Sequence, residues 1–310
     1  MKKKTMAMTG AAIAGAAAAF VISGVAAIDY ACKRKSIITH KHNPAENHSL
    51  DMEDYLWIKE QKFQDMEITS FDGLKLKGKY LPADKKTNKV LIAIHGYHAT
   101  NFQDFSYYLR FYHQLGFNIL MPNNRAHGDS EGTYIGFGWL DRLDVLEWLH
   151  VIQRYFDYEP IQIVLNGISM GSATVLMASG EQLPSDVKCI IADCSYTSVY
   201  DQFKQQLKKS HIPPALLLPS ATLLSKMKVG YNFKEASALK QVEKSHTPTL
   251  FIHGDQDQLV PTYMVYELYN ACTADKDLLV VEGARHAESY LVNKELCEKT
   301  MKEFISKYVK

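Results

Sequence analysis

Six short apolar runs, with helix-patterned stretches among the intervals between them, constrain this chain more than any other feature. They are Lys89–His95 (KVLIAIH), Asn118–Pro122 (NILMP), Ile161–Leu165 (IQIVL), Cys189–Ala192 (CIIA), Thr249–His253 (TLFIH) and Asp277–Val281 (DLLVV). A run that is apolar at nearly every position suits a strand covered on both faces, as strands of a parallel sheet are. Helical spacing occupies Phe102–Leu115, Trp139–Phe156, Ser172–Ser179, Tyr263–Asn270 and Lys294–Tyr308. The clearest of these places Trp139, Leu143, Leu146, Leu149, Ile152 and Phe156 at three- and four-residue steps. Ahead of them, MEITSFDGLKLKGKYLPA alternates apolar and polar residues about Asp72-Gly73, a hairpin with a turn suited to positive φ. Strands alternating with helices after a hairpin predict an α/β domain over residues 61–310, with a mostly parallel sheet flanked by helices. A chain of 310 residues, 46% hydrophobic, can fill one large core.

One interval breaks the rhythm. Between Ser195 and Thr249 no strand pattern occurs, and HIPPALLLPSATLLSKMKVGYNF is too long and apolar for a simple connector. It predicts a helical lid inserted at about residues 199–247, folded over the carboxyl edge of the sheet.

The N-terminus is of a different composition. Lys2, Lys3 and Lys4 precede a charge-free stretch from Thr5 to Ile28, after which come Asp29 and Lys33-Arg34-Lys35. The stretch is long enough for a helix to cross a bilayer at ~20 residues per span. Residues 1–35 are therefore expected to be a single-pass membrane anchor with the catalytic domain outside the cell. A cleaved signal peptide is the alternative, given the small residues near Val25-Ala26-Ala27. Either way, a chain without these residues is expected to keep its core. Residues 36–60 read as a polar linker and a short helix near Asp51–Gln61. His40, His42 and His48 fall there without a companion cysteine or carboxylate cluster, so no metal is expected. With 35 basic and 34 acidic residues, net charge is +1, which offers no field to gather nucleic acid. The five cysteines, odd in number and irregular in spacing, make no disulfide framework.

In an open parallel sheet, ligands bind beyond the carboxyl ends of the strands. The residues leaving those ends are a distinctive set. Gly167-Ile168-Ser169-Met170-Gly171 follows IQIVL, Asp255 and Asp257 follow TLFIH, His286 follows DLLVV, and Gly96-Tyr97-His98 follows KVLIAIH. A Gly-x-Ser-x-Gly pentapeptide alone arises by chance in roughly one chain of this length in ten, so the companions decide. A serine hydroxyl becomes a nucleophile when an imidazole takes its proton. The imidazole needs a carboxylate to hold its tautomer, and the tetrahedral oxyanion needs preplaced N–H donors. All three kinds of group leave the same edge.

This set resembles the α/β-hydrolase superfamily, in particular bacterial esterases and lipases of the serine-aminopeptidase-like group. The resemblance covers about Gln61 to the C-terminus, and NNRAHGDSEG at Asn123–Gly132 resembles the superfamily's loop after the fourth strand. It implies Ser169 as nucleophile, His286 as base and Asp257 as acid, the last through His-Gly-x-x-Asp-x-x-Val-Pro at 253–261. It also implies the amides of Met170 and Tyr97 as oxyanion donors. Asp193 and Asp255 are the rival acids. His98 reads as a pocket-wall residue in the substrate site. Arg125 and His127 read as residues ordering the loop behind the site, His95 as support for a loop backbone and His253 as packing behind the acid turn. Leu216 and Leu217 are expected to wall an apolar acyl group. The activity implied is carboxylic ester hydrolysis on a small molecule with no cofactor. A peptidase or thioesterase of the same fold is an alternative, although Glu235 and Glu243 of the lid are expected to face solvent. A catalytically silent, membrane-anchored binding protein is the alternative of another class.

Overall fold

The computed structural model describes residues 18–35 and 52–310. The hairpin is β1 (Gln64–Thr69) and β2 (Lys75–Leu81), joined by a turn in which Gly73 has φ +88°. The apolar runs become β3 (Lys89–Ile94), β4 (Asn118–Pro122), β5 (Gln162–Ile168), β6 (Val187–Asp193), β7 (Thr249–Gly254) and β8 (Lys276–Val281). Among the described residues they form one sheet in the order β1-β2-β4-β3-β5-β6-β7-β8. The β1–β2 and β2–β4 pairs are antiparallel and the others parallel. This is the α/β-hydrolase fold, mostly parallel and flanked by helices.

Both faces of the sheet are covered, which is why the runs are apolar throughout. Along β3, Val90, Ile92 and Ile94 enter one core and Leu91 and Ala93 the other. The first core is closed by α4 (Asp141–Tyr155), α5 (Met170–Ala178), α8 (Ala238–Val242) and α9 (Tyr263–Ala271). The second is closed by α2 (Met52–Glu60), α3 (Asn101–Gln114), α10 (Ser289–Val292) and α11 (Lys294–Tyr308). The lid comprises α6 (Val199–Lys209), α7 (Pro214–Val229) and α8. Helix α2 lies where a linker helix was expected, yet it is docked. Ile58 is buried, Trp57 meets His113 edge-on, and Arg110 of α3 pairs with Glu53 and Asp54.

The described residues give no support to the expected membrane anchor. Residues 1–17 lie outside the described residues. Among the described residues no helix is long and apolar enough to cross a membrane. Residues 18–28, expected to lie in the span, open helix α1 (residues 18–32), which closes against the domain. Ile28 and Cys32 are fully buried in the first core. Gly24 permits this approach, since a Cβ there would stand 2.8 Å from the backbone of Ser220 in α7. Asp29 pairs with Lys228 at 3.4 Å and accepts the Tyr134 hydroxyl at 2.9 Å. Beyond the helix, the Arg34 guanidinium donates to the Ser130 and Gly128 carbonyls at 2.6 and 2.7 Å. The small residues that made this stretch resemble a span are also those that let a helix pack closely.

Candidate active site

The register aligns the carboxyl ends of the central strands. Ile94 lies opposite Gly167, Ile168 opposite Asp193, Asp193 opposite Ile252, and Gly254 opposite Val281. Whatever leaves these ends meets at one edge.

Ser169 sits between β5 and α5 at φ 56°, ψ −113°, a conformation a non-glycine residue adopts under strain. The flanking glycines make the turn possible. A Cβ on Gly171 would collide with the Ile94 carbonyl, and one on Gly167 with the Gly171 carbonyl. The Ser169 amide is anchored on the Asp193 carbonyl at 2.9 Å, which leaves the side chain half-buried above the sheet.

His286 joins the two ends of the set. Its Nε2 lies 2.8 Å from Ser169 Oγ, and its Nδ1 lies 2.7 Å from Asp257 Oδ2. The other Asp257 oxygen accepts the Leu259 and Val260 amides at 2.8 and 2.9 Å. His253, fully buried, comes within 3.3 Å of Oδ2 from behind and donates from Nε2 to the Val260 carbonyl. Burial alone would raise the Asp257 pKa. The hydrogen bonds from His253 and His286, with the Val260 amide, outweigh it and hold the carboxyl well below the usual carboxylate range. Asp255 is excluded from this position because its Oδ1 accepts the Gly283 amide at 2.7 Å. Asp193 faces Tyr108 and Ser289 at 3.4 Å each, a structural role, and burial raises its pKa to about 6.

The two implied oxyanion amides are at the same edge. Met170 is the first residue of α5, so its amide has no acceptor within the helix and lies at the positive end of the dipole. In the loop after β3, the Gly96 amide is held by Asp104 Oδ2 at 2.6 Å. The Tyr97 amide makes no backbone hydrogen bond among the described residues. The Tyr97 ring is stacked on His98 at 3.7 Å and tilted against Phe137 at 5.1 Å, and its hydroxyl donates to the Ala31 carbonyl at 2.8 Å. Helix α1 thus touches the residue expected to supply an oxyanion donor.

The loop behind the site is built as expected. Arg125 is gripped by Asp144 at 2.7 Å and Asp72 at 2.9 Å, tying the loop to α4 and to the hairpin turn. Burial opposes the charge on Arg125, and the two carboxylates more than offset it, so its pKa rises. His127 Nε2 accepts the His98 amide at 3.1 Å, and burial lowers the His127 pKa to about 4, which keeps it neutral and accepting. His95 accepts the Asn124 amide at 2.9 Å and bonds the Gly96 carbonyl at 2.8 Å. His98 itself is exposed and is not part of the lining of the cleft beside His286, and its pKa is lowered by partial burial and by Lys35.

A cleft of about 610 Å³ opens beside His286, and neither Leu216 nor Leu217 lines it. In α7, Ser220 and Leu224 lie against Gly24 of α1, whereas Leu216, one turn earlier, is 66% exposed and Leu217 is half-buried. Pro213 and Pro214 start the helix. Asp104, by contrast, escaped sequence reasoning. Its signal was an acid in the first turn of the helix that follows the glycine turn.

Among the described residues one His/Cys/Asp/Glu group is tight enough for a metal ion, namely Cys194, Asp257 and His286, with ligand atoms within 4.8 Å. Burial pushes the Cys194 thiol pKa well up, and the carboxylate and imidazole already bond each other. The cysteine is packing behind the pair.

Residues 103–310, more than half of the chain, match the prolyl oligopeptidase family. The chain belongs to that family. It is similar to the uncharacterised protein YqkD of Bacillus subtilis (strain 168), 30% identical over 251 residues, 79% of this chain and 81% of that protein. Among solved structures it resembles a Pyrococcus furiosus esterase, with TM-score 0.66 and 23% identity over 81% of this chain and 92% of that one. It also resembles the Pyrococcus horikoshii acylaminoacyl peptidase, with TM-score 0.63 and 17% identity over 82% of this chain and 43% of the peptidase. Prolyl oligopeptidase membership and this fold make the protein a hydrolase of the α/β type.

Proposed function

We propose that this protein hydrolyses carboxylic esters of small molecules through an acyl-enzyme on Ser169. The observation that carries the reading is the unbroken chain Ser169 Oγ, His286, Asp257, with bonds of 2.8 and 2.7 Å. As Ser169 attacks the carbonyl carbon, His286 Nε2 takes the hydroxyl proton. Asp257, ionised because its pKa is depressed, accepts Nδ1–H, fixes the tautomer and stabilises the imidazolium. The Met170 and Tyr97 amides receive the oxyanion, each donor worth about 3–4 kcal/mol in the barrier. The imidazolium then returns its proton to the leaving oxygen. Water, deprotonated by the same histidine, releases the acid and restores Ser169.

A fluorophosphonate probe should label Ser169 and nothing in Ser169→Ala. Ser169→Ala and His286→Ala should each lower kcat by about 10⁴–10⁶, and combining them should add little. Near-normal turnover in purified Ser169→Ala would sink the reading. Peptide hydrolysis is the second reading, favoured by the family match and by the likeness to an acylaminoacyl peptidase. Against an aminopeptidase pocket, Glu235 and Glu243 are both exposed. Aminoacyl anilides assayed beside p-nitrophenyl esters separate the two.

A further inference from the structure

We propose that the cleft beside His286 binds a carboxylate carried on the leaving-group side of the substrate, an inference that rests on the acyl-transfer reading above. His286 lines the cleft, and in that reaction it must hand its proton to the leaving atom, so the leaving group is the part that lies here. The lining is polar and carries two cations. Arg285 comes directly before His286 in the loop after β8, and the lid brings in Lys209 as the last residue of α6. Both side chains are exposed, and neither forms an ion pair among the described residues. Gln256 and Gln258, on either side of Asp257 in sequence, add amide donors. Leu259 is the one large apolar side chain in the lining. Glu288 is the one acid there, and its Oε2 accepts the Arg285 amide at 3.3 Å. Asp255 and Glu282 lie on the adjoining turns, the former holding the Gly283 amide. An apolar leaving group would desolvate the two cations and gain contact with little but Leu259. A carboxylate would meet both cations and the glutamine amides.

The test compares 3-acetoxybenzoate with its uncharged counterpart 3-acetoxybenzamide, which share an acyl group and a phenol leaving group. In the unmodified protein kcat/KM should favour the anion by about tenfold at low salt, and added salt should erode the preference. Arg285→Gln and Lys209→Gln should each lower the ratio about two- to fivefold, as for exposed charge pairs. Glu288→Gln should raise it. A ratio of one or below in the unmodified protein, or a ratio unmoved by both substitutions, overturns the proposal. Should neither ester be turned over, the ester reading fails, and binding decides the inference separately. By NMR titration 3-hydroxybenzoate should bind more tightly than 3-hydroxybenzamide, and Arg285→Gln should narrow the difference about two- to fivefold. Equal affinities would overturn the cleft assignment.

Discussion

Replacing Ile28 by Ala tests whether α1 is part of the catalytic domain or merely tethered to it. Ile28 is fully buried among first-core side chains contributed by the sheet, the lid and α4. An Ile→Ala change in a core typically costs 2–5 kcal/mol, as lost transfer energy plus a residual cavity. Here α1 packs from the periphery and can settle towards α7, and alanine gains a few tenths as a helix former. The expected loss is therefore at the low end, about 2–3 kcal/mol. For a domain of this size that is a fall in Tm of roughly 4–6 °C. Urea unfolding followed by fluorescence and far-UV dichroism measures it. Ile22→Ala is the control, because Ile22 is 68% exposed and its loss should stay within about 0.5 kcal/mol. The local consequence is at Tyr97, whose hydroxyl bonds the Ala31 carbonyl. If α1 positions that loop, deleting residues 1–35 should lower kcat for p-nitrophenyl acetate more than it raises KM. Ile28→Ala and Ile22→Ala of equal stability would refute the docked helix and restore the independent anchor.

Other outcomes follow from the same contacts. Gly171→Ala drives a methyl group into the Ile94 carbonyl, so it should destabilise by more than about 3 kcal/mol or abolish soluble expression, which thermal melts will show. Leu216→Ser should leave kcat/KM for acetate, butyrate and octanoate esters within about twofold of the unmodified protein, because that side chain is 66% exposed; a selective loss on octanoate would contradict this. Burial raises the Asp104 pKa from 3.8 to about 6, against the Gly96 amide and His286. A folded-state pKa above the unfolded value favours folding below about pH 4, and the benefit is lost as pH rises through 6. Asp104→Asn keeps an acceptor for Gly96 and removes the ionisation, so it should gain about 1–2 kcal/mol on the unmodified protein between pH 4 and pH 8. A pH-independent difference in urea unfolding would refute that.

Local pattern decides what is local. Apolar at nearly every position, KVLIAIH and TLFIH could be read as strands buried on both faces, and both are. Ser169 and His286 were legible because each leaves a parallel strand at its carboxyl end, and all such ends lie on one edge. Between Asp255 and Asp257 only the turn decides. The two acids lie two residues apart, and the Gly283 amide occupies one while His286 and His253 meet the other. The direction of Leu216 was hidden because helical periodicity gives a face without saying what covers it. Part of what covers α7 is Gly24, some two hundred positions earlier in the chain, resting on Ser220. The role of α1 was hidden for a related reason. Alanine and glycine suit a helix in lipid and a helix pressed against protein equally well, so composition cannot separate the two. Asp104 shows the same limit, since an acid in the first turn of a helix is a common feature and only the packed loop brings it to the Gly96 amide. Strands, elbow and catalytic residue types are set by short-range sequence. Which helix faces what, which acid is chosen and what holds the oxyanion loop depend on contacts between distant segments, and those exist only once the chain is packed.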